Sequence, residues 1–135
     1  MMQAMNTGHE GSISTVHANS PRDGIARIEN MILMANLDLP SRAIREQIAS
    51  AVHLIIQISR MSDGTRKLTH VSEITGMEGQ VVTMQDIFRY DQTGLDSEGR
   101  VKGAFHSTGI RPRFSERFES LGISLAPGIF SGMAA

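Results

Sequence analysis

The residues with the most chemical potential lie in one short segment near the start of the chain. His9 and His17 stand eight positions apart, with the run Ser12–Val16 between them. This run is rich in β-branched residues and follows Gly11, which predicts a short strand with His17 just past its carboxyl end. In open α/β sheets ligands bind outside those strand ends, and a histidine there donates a hydrogen bond to an anion whether it is charged or neutral.

Two other interpretations of these histidines stay open. A loop histidine at a strand end also serves as a structural hydrogen-bonding group, and His9, Glu10 and His17 could together approach a metal ion. No further cluster of ligands accompanies these three residues in the sequence, so we predict no metal site. The remaining histidines lie in or beside predicted strands, carry no motif and are interpreted as structural: His53, His70 and His106.

The sequence has no phosphate-binding loop. The P-loop pattern requires a glycine, four residues and then Gly-Lys-Ser or Gly-Lys-Thr. The two lysines, Lys67 and Lys102, follow Arg66 and Val101, so the sequence contains no Gly-Lys pair. It also lacks an apolar strand that ends in an acidic pair able to hold magnesium beside such a loop. We therefore expect that the chain alone neither binds ATP tightly nor hydrolyses it.

Composition and charge exclude several classes of protein. The 135 residues include 13 basic and 14 acidic side chains. The net charge is therefore too small to indicate bulk nucleic-acid or membrane-surface binding. Without cysteine, disulfides and thiolate metal sites are excluded. The longest apolar run, Leu54–Ile58, is far too short to span a bilayer. Since the first residues also lack the regions of a signal peptide, we expect a cytosolic protein.

Two helices are predicted in the first half of the chain. Ser20 as the N-cap and Pro21 as the first helical residue make a strong helix start. Ser41 would cap a second helix after a break at Asn36–Pro40. Apolar residues at spacings of three and four give each helix one inward face. These residues are Ile25, Ile28, Ile32 and Ala35 in the first helix, and Ile44, Ile48 and Ala51 in the second.

After the second helix the apolar period changes to two, which predicts antiparallel strands joined by short turns. Asp63-Gly64 is a hairpin signal, and Gly76–Gly79 and Thr93–Gly99 are further predicted connections. A short amphipathic helix should follow at Pro112–Leu121. The predicted strands run over Leu54–Ser59, Arg66–Thr75, Val81–Tyr90 and Val101–Ser107.

Two stretches carry a family resemblance. The stretch Thr7–Met31, TGHEGSISTVHANSPRDGIARIENM, resembles the histidine box and following helix of the type II/IV secretion ATPase superfamily. The stretch Ala35–Gly79 is similar to one branch, the CpaF ATPase of Tad/Flp pilus assembly. The resemblance implies an α/β fold: the C-terminal part of a RecA-like P-loop ATPase domain, followed by an antiparallel β meander and a short C-terminal helix. We expect residues 1–52 to belong to the motor core, 53–121 to the meander and helix, and 122–135 to a flexible tail.

The resemblance also implies residue roles and partners. His17 would approach the terminal phosphate of ATP, and His9 would be the first histidine of the same box, which Thr7 and Gly8 open. His17 and His9 are thus the candidate catalytic residues, and His17, Thr7 and Gly8 the candidate nucleotide-binding residues. Family members use ATP and magnesium, form hexameric rings at the cytoplasmic face of the inner membrane and act with membrane platform proteins. Three arginines could face a neighbouring subunit or simply solvent: Arg22, Arg42 and Arg45.

The leading hypothesis is therefore a C-terminal fragment of a secretion or pilus-assembly ATPase, inactive alone because the phosphate loop and the N-terminal domain would lie before Met1. The alternative is a non-enzymatic module that docks onto an intact secretion ATPase ring. A free-standing histidine-dependent hydrolase is disfavoured, because no nucleophile and base arrangement is visible. In the fragment hypothesis Ser12–Val16 has lost its sheet neighbours, so we expect its unpaired edge to cause self-association.

Overall fold

The computed structural model describes residues 11–35 and 38–131. Its four strands form one sheet in the order β1-β2-β3-β4, so each strand lies beside its neighbour in sequence, as the predicted antiparallel meander requires. The predicted mixed α/β class, with two helices before the strands and one after them, is confirmed. The elements are α1 Pro21–Ala35, α2 Ser41–Ala51, β1 Leu54–Arg60, β2 Arg66–Glu78, β3 Val81–Leu95, β4 Val101–Ser107 and α3 Phe114–Ser120.

The chain divides into two compact units. The first comprises residues 1–55 and 74–84, and the second comprises residues 56–73 and 85–135. The first unit therefore contains both long helices and the tip of the β2–β3 hairpin, whereas the second contains the remainder of the sheet and α3.

The core of the first unit is built from the inward faces of α1 and α2. The helical spacing of three and four residues places isoleucines on one side of each helix, as the sequence predicts. Burying an isoleucine side chain stabilises the fold by roughly 1.5–3 kcal/mol, so these contacts dominate the stability of the unit. The buried core residues are Ile25, Ile44, Ile48, Val52, Ile74 and Val82.

The second unit contains a buried carboxylate at the start of α3. Glu73, on β2, is only 3% exposed. Its two oxygens accept hydrogen bonds from the backbone N–H groups of Arg113 and Phe114, each at 2.9 Å, and from the side-chain amide of Gln85 at 3.0 Å. A buried carboxylate is costly unless such donors surround it. The two backbone donors therefore fix where α3 begins, and Gln85 adds a third bond from β3.

Aromatic side chains form a second cluster in this unit. Phe88 stacks on Phe105 with ring centroids 5.6 Å apart, and Phe130 contacts Phe88 at 5.8 Å. Tyr90 is paired with Phe105, but its ring reaches Gly103 on the same strand, where an added Cβ would come within 2.6 Å of the Tyr90 hydroxyl oxygen. The close approach of the Tyr90 ring to β4 therefore requires glycine at position 103.

The strands are longer than the sequence patterns predict. The strand β2 continues through Gly76 to Glu78, so the predicted turn at Gly76–Gly79 is wrong and the chain reverses at Gly79 and the next residue. A glycine permits the φ of +138° at position 76 without ending the strand. The strand β3 continues past its predicted end to Leu95, because a register shift between Gln92 and Gly94 lets pairing resume after an extra residue.

The start of α2 also differs from its prediction. Ser41 is the first helical residue, and Pro40 occupies the N-cap position in an extended conformation without a side-chain capping bond. The prediction of Ser41 as the cap is therefore wrong. Proline precedes this helix because its fixed φ suits the extended entry, and the first helical bond runs from the Ile44 N–H to the Pro40 carbonyl at 3.2 Å.

The predicted turn at Asp63-Gly64 is confirmed, and Asp63 also forms hydrogen bonds to another part of the sheet. The Asp63 carboxylate accepts hydrogen bonds from the Thr65 hydroxyl at 2.6 Å, the Thr65 N–H at 2.9 Å and the Val101 N–H at 2.8 Å. The bond from the Thr65 hydroxyl, followed by the bond from the Val101 amide, lowers the pKa of Asp63 to about 2. One charged side chain thus links the β1–β2 turn to the start of β4.

This arrangement predicts a loss of stability in acid. Because the folded-state pKa of Asp63 lies below the ordinary value of 3.8, its contribution is complete above about pH 4 and is lost as the pH falls toward 2. We expect Asp63→Asn to melt at a lower temperature than the wild type at pH 5, with the difference shrinking as the pH falls through this window.

Melting temperatures measured between pH 5 and pH 2 check this expectation. Asp38→Asn, at an exposed aspartate in the loop before α2, is the matched control. A difference between Asp63→Asn and the wild type that stays constant over the whole pH range would contradict the role of the carboxylate.

Candidate functional site

The segment that carries His17 is not a strand. Residues 11–18 form neither helix nor strand, and Ile13 is almost fully exposed, so the predicted strand at Ser12–Val16 is wrong. The physical reason is pairing: a β-strand needs a hydrogen-bonded neighbour, and no strand among the described residues pairs with this segment. The inference that His17 follows the carboxyl end of a strand consequently fails on this structure.

The segment is nevertheless held against the first turn of α1. Gly24 is buried, and a Cβ at this position would lie 3.7 Å from the Ala18 Cβ and 3.9 Å from the Val16 Cγ1. These are ordinary van der Waals separations, so the residues on both sides of His17 lie beside the first turn of α1 and leave room for no more than a methyl group at position 24. The His17 side chain itself is exposed to solvent.

Reciprocal hydrogen bonds fix the chain at the start of α1. The Asp23 N–H donates to the Ser20 Oγ at 3.0 Å, and the Asp23 carboxylate accepts from the Asn19 N–H at 2.9 Å. The first helical bond runs from the Gly24 N–H to the Ser20 carbonyl at 2.9 Å. This is a variant of the capping box, and it confirms the predicted helix start at Ser20 and Pro21. The same bond from Asn19, with a further one from Arg27, lowers the pKa of Asp23.

The cap also determines what this helix end can bind. Pro21 has no N–H, and the N–H groups of Asp23 and Gly24 already donate to Ser20. The negative Asp23 carboxylate stands at the same helix end. The residues that the structure describes here therefore do not fit a phosphate group by themselves, because a phosphate-binding helix start needs open N–H donors.

The other predicted site residues lie outside the described ranges. Thr7, Gly8 and His9 all precede residue 11, so their predicted roles in nucleotide binding and catalysis stay predictions. Glu10, the third residue weighed for a metal site, also precedes it. Within residues 11–35 and 38–131, no group of three or more histidine or acidic side chains is placed to hold a metal ion.

The remaining histidines lie in the sheet or directly before it. The side chain of His53 is exposed, while its carbonyl accepts the Ile74 N–H at 3.0 Å. His70 Nδ1 lies 3.0 Å from the Thr69 hydroxyl. His106 Nδ1 lies 3.3 Å from the carboxylate of Asp91 on β3. The imidazoles of His70 and His106 thus have partners on the sheet, whereas the imidazole of His53 is exposed, and all three residues stand apart from the His17 segment in sequence.

Two of the three candidate interface arginines bind the β2–β3 hairpin within the first unit. Arg22 donates to the Val82 carbonyl at 2.6 Å. Arg45 donates to the Gln80 carbonyl at 3.0 Å and pairs with Glu29 on α1 at 3.0 Å. These bonds join α1 and α2 to the β2–β3 hairpin.

The third arginine, Arg42, points to solvent. It pairs with Glu46 one turn later on α2 at 3.1 Å, and both side chains are largely exposed. Such a surface pair contributes little to stability. Arg42 is therefore exposed to solvent and makes no bond to the β2–β3 hairpin, unlike Arg22 and Arg45.

Sequence reasoning did not foresee the hydrogen-bonded cluster beside Glu73. The Ser72 hydroxyl donates to the Asp86 carboxylate at 2.6 Å, and the Thr108 hydroxyl donates to the Asp86 carbonyl at 2.6 Å. An open groove of about 510 Å³ lies beside Asp86. The sequence does contain one indication of this cluster: Ser72 and Glu73 are polar residues within a predicted strand, directly before the apolar Ile74. The groove is lined by Gln85, Asp86, Arg89, His106, Ser107, Thr108 and Ile110.

Comparison with known proteins gives a consistent picture. The family model described as "Type II/IV secretion system protein" matches residues 1–104. A relative named as a putative conjugal transfer protein, from Mycobacterium tuberculosis strain H37Rv, is 37% identical over 81 residues, which are 60% of this chain and 22% of the relative. The conjugal transfer protein TrbB of Rhizobium radiobacter is 34% identical over 97 residues, which are 72% of this chain and 28% of the relative.

The chain thus spans about a quarter of the length of these relatives. In the part of the chain that the structure describes, no helix is both long and apolar enough to cross a membrane.

The cap at Ser20 gives a direct test of how the His17 segment is held. Removing an N-cap hydroxyl destabilises a helix by about 0.5–2 kcal/mol, so Ser20→Ala should lower the free energy of unfolding by about 1 kcal/mol. Urea denaturation measures this change. Ser14→Ala, at an exposed serine before the cap, should leave stability unaltered. Equal stabilities of the two variants would show that the reciprocal bonds do not hold the segment.

Proposed function

Because the chain belongs to the type II/IV secretion system protein family, we propose that it forms the C-terminal part of the motor domain of a secretion ATPase. The observation that carries this proposal is the family match over residues 1–104, which includes the whole His9–His17 segment and both long helices. The intact motor couples ATP hydrolysis to the movement of protein subunits across or into the membrane.

Residues elsewhere in that motor bind the phosphates and the magnesium ion. The sequence has no Gly-Lys pair, and the start of α1 is internally capped. The phosphate cradle and the magnesium ligands therefore come from other parts of the polypeptide, and the chain alone is inactive. Its partners are the other subunits of a hexameric ring and membrane platform proteins on the cytoplasmic side.

A narrower assignment rests on the resemblance of Ala35–Gly79 to CpaF. We propose a motor of the Tad/Flp pilus-assembly type, whose cargo is pilin. The two relatives compared above carry names from conjugal transfer, which is the competing assignment for the cargo. Both assignments share the same motor chemistry.

Within that motor His17 is the proposed sensor of the terminal phosphate. The bonds among Asn19, Ser20 and Asp23 hold the chain just after it, and its imidazole is solvent-exposed and open to a partner. A pre-placed donor of this kind stabilises the charge that develops on the transferred phosphoryl group. His9, Thr7 and Gly8 complete the box.

A graft tests both the family function and the role of His17. Residues 1–104 replace the matched region of a longer family member that hydrolyses ATP, and steady-state kinetics are measured. We expect the graft to keep activity and His17→Ala to lower kcat by about a hundredfold with little change in nucleotide affinity, the usual effect of losing one such donor. His53→Ala, at an exposed histidine in the same unit, is the control and should keep normal kcat.

Two results would contradict the proposal in different ways. Near-normal kcat in His17→Ala would remove the sensor role while leaving the family function intact. A folded graft without ATP hydrolysis, together with tight binding of the separate chain to an intact ring, would favour a non-enzymatic docking module instead.

A further inference from the structure

The first turn of α1 is joined to the β2–β3 hairpin by an arginine. Arg22 Nη1 donates a hydrogen bond to the Val82 carbonyl at 2.6 Å, although the two residues stand 60 positions apart in the chain. Hydrogen bonds from charged donors are shorter and stronger than neutral ones. Val82 is 3% exposed and belongs to the same buried cluster as Ile25, which follows Arg22 by one turn of the helix. Arg22 therefore connects the start of α1 to a buried residue of the hairpin.

Arg22 also lies within the helix cap that follows the His17 segment. It stands between Ser20 and Asp23, which are joined by the bond from the Asp23 N–H to the Ser20 Oγ at 3.0 Å. Residues 11–18 form neither helix nor strand, so they have no regular structure of their own to set their course. Their position consequently follows from the orientation of the helix start, which the Arg22 bond holds against the hairpin.

We propose that Arg22 is a positioning residue for His17. It holds the first turn of α1 against the hairpin and so determines where the imidazole stands while the motor hydrolyses ATP. This inference rests on the proposed role of His17 as the sensor of the terminal phosphate. A catalytic group must lie within about 0.5 Å of its productive position, and a displacement of about 1 Å can lower the rate about a hundredfold. Arg22 thus affects the rate without contacting the nucleotide.

The structure contains a matched comparison for Arg22. Arg45 donates to the Gln80 carbonyl of the same hairpin at 3.0 Å and pairs with Glu29 on α1 at 3.0 Å. Both arginines therefore attach the hairpin to the helices of the first unit. Arg45 does so from α2, whereas Arg22 does so from the turn that directly follows His17 and its neighbours. Comparing the two separates a general loosening of the hairpin from a change at the start of α1.

Backbone NMR of the 135-residue chain tests the structural part of the proposal. Arg22→Met keeps an unbranched apolar stem and removes the donor. We expect the amide order parameters of residues 16–20 to fall in Arg22→Met, because the turn gains freedom of motion. They should stay at wild-type values in Arg45→Met. Arg22→Lys, which keeps a charged donor, should restore most of the loss. Order parameters that are equal in Arg22→Met and the wild type would overturn the proposal.

Steady-state kinetics in the graft of residues 1–104 test the catalytic part. We expect Arg22→Met to lower kcat by about tenfold with little change in nucleotide affinity. Arg22→Lys should recover most of this kcat, and Arg45→Met should keep a normal kcat. Because Arg22 acts through His17, Arg22→Met should lower kcat no further when it is combined with His17→Ala. Thermal melts of the graft variants show whether each is folded.

The contradicting outcomes are distinct from one another. An equal loss of kcat in Arg45→Met and Arg22→Met would show a general loosening of the hairpin instead of positioning. Losses that multiply in the double variant, or weaker nucleotide binding in Arg22→Met, would show that Arg22 contacts the nucleotide or another subunit directly. A normal kcat in Arg22→Met beside a reduced kcat in His17→Ala would refute the positioning role alone. A normal kcat in His17→Ala would refute the sensor role, and the positioning role with it.

Discussion

Glu73 places its carboxyl group in the interior of the second unit, and the arrangement around it depends on how the two carboxyl oxygens are hydrogen-bonded. Two backbone N–H groups at the start of α3 and the amide of Gln85 all donate to its carboxylate. Leaving the buried Glu73 acceptor without its donors would cost roughly 1–3 kcal/mol. The helix is only seven residues long, too short to be stable by itself. Its position therefore follows from Glu73 and from the burial of Pro112 and Ser115 beside it.

The first unit is organised by a different kind of contact. Its isoleucine core contributes apolar contacts, which have no preferred direction, whereas the two arginine–carbonyl bonds have a defined geometry. Arg22 binds the Val82 carbonyl, and Arg45 binds the Gln80 carbonyl while it also pairs with Glu29. Charged donors form stronger hydrogen bonds than neutral ones. A pattern of residues that suggested a subunit interface therefore has an internal explanation for two of its three members.

The sequence predicts those parts of the fold that local physics decides. The helical apolar period and the pair Ser20 and Pro21 correctly locate α1, and Asp63-Gly64 correctly locates the first hairpin turn. Both features depend on residues that lie within a few positions of each other. The role of Glu73 could not be predicted, because its donors at Arg113 and Phe114 are about 40 positions away in the chain. Local pattern alone does not reveal such a long-range pairing.

In the His17 segment, local sequence preference predicts an element that the structure does not contain. Ser12–Val16 has strand-forming residues, but strand formation also requires a hydrogen-bonded partner, and none of the described strands pairs with it. Local propensity therefore gave a strand where the structure has none. The cap at Ser20, which is local, was predicted correctly, and it holds the chain directly after His17. The sequence thus located the segment but not its conformation.

The central functional claim is that nucleotide binding requires residues beyond those of this chain. A thermal melt of the 135-residue chain with and without millimolar Mg-ATP tests it most directly. A ligand present at about a hundred times its Kd stabilises the native state by roughly 2.7 kcal/mol, which would raise the Tm of a domain of this size by several degrees. We expect no change in the Tm of the chain. A longer family member with a phosphate loop, measured in parallel, should show an increase in Tm. A clear rise in the Tm of the chain alone would contradict the account.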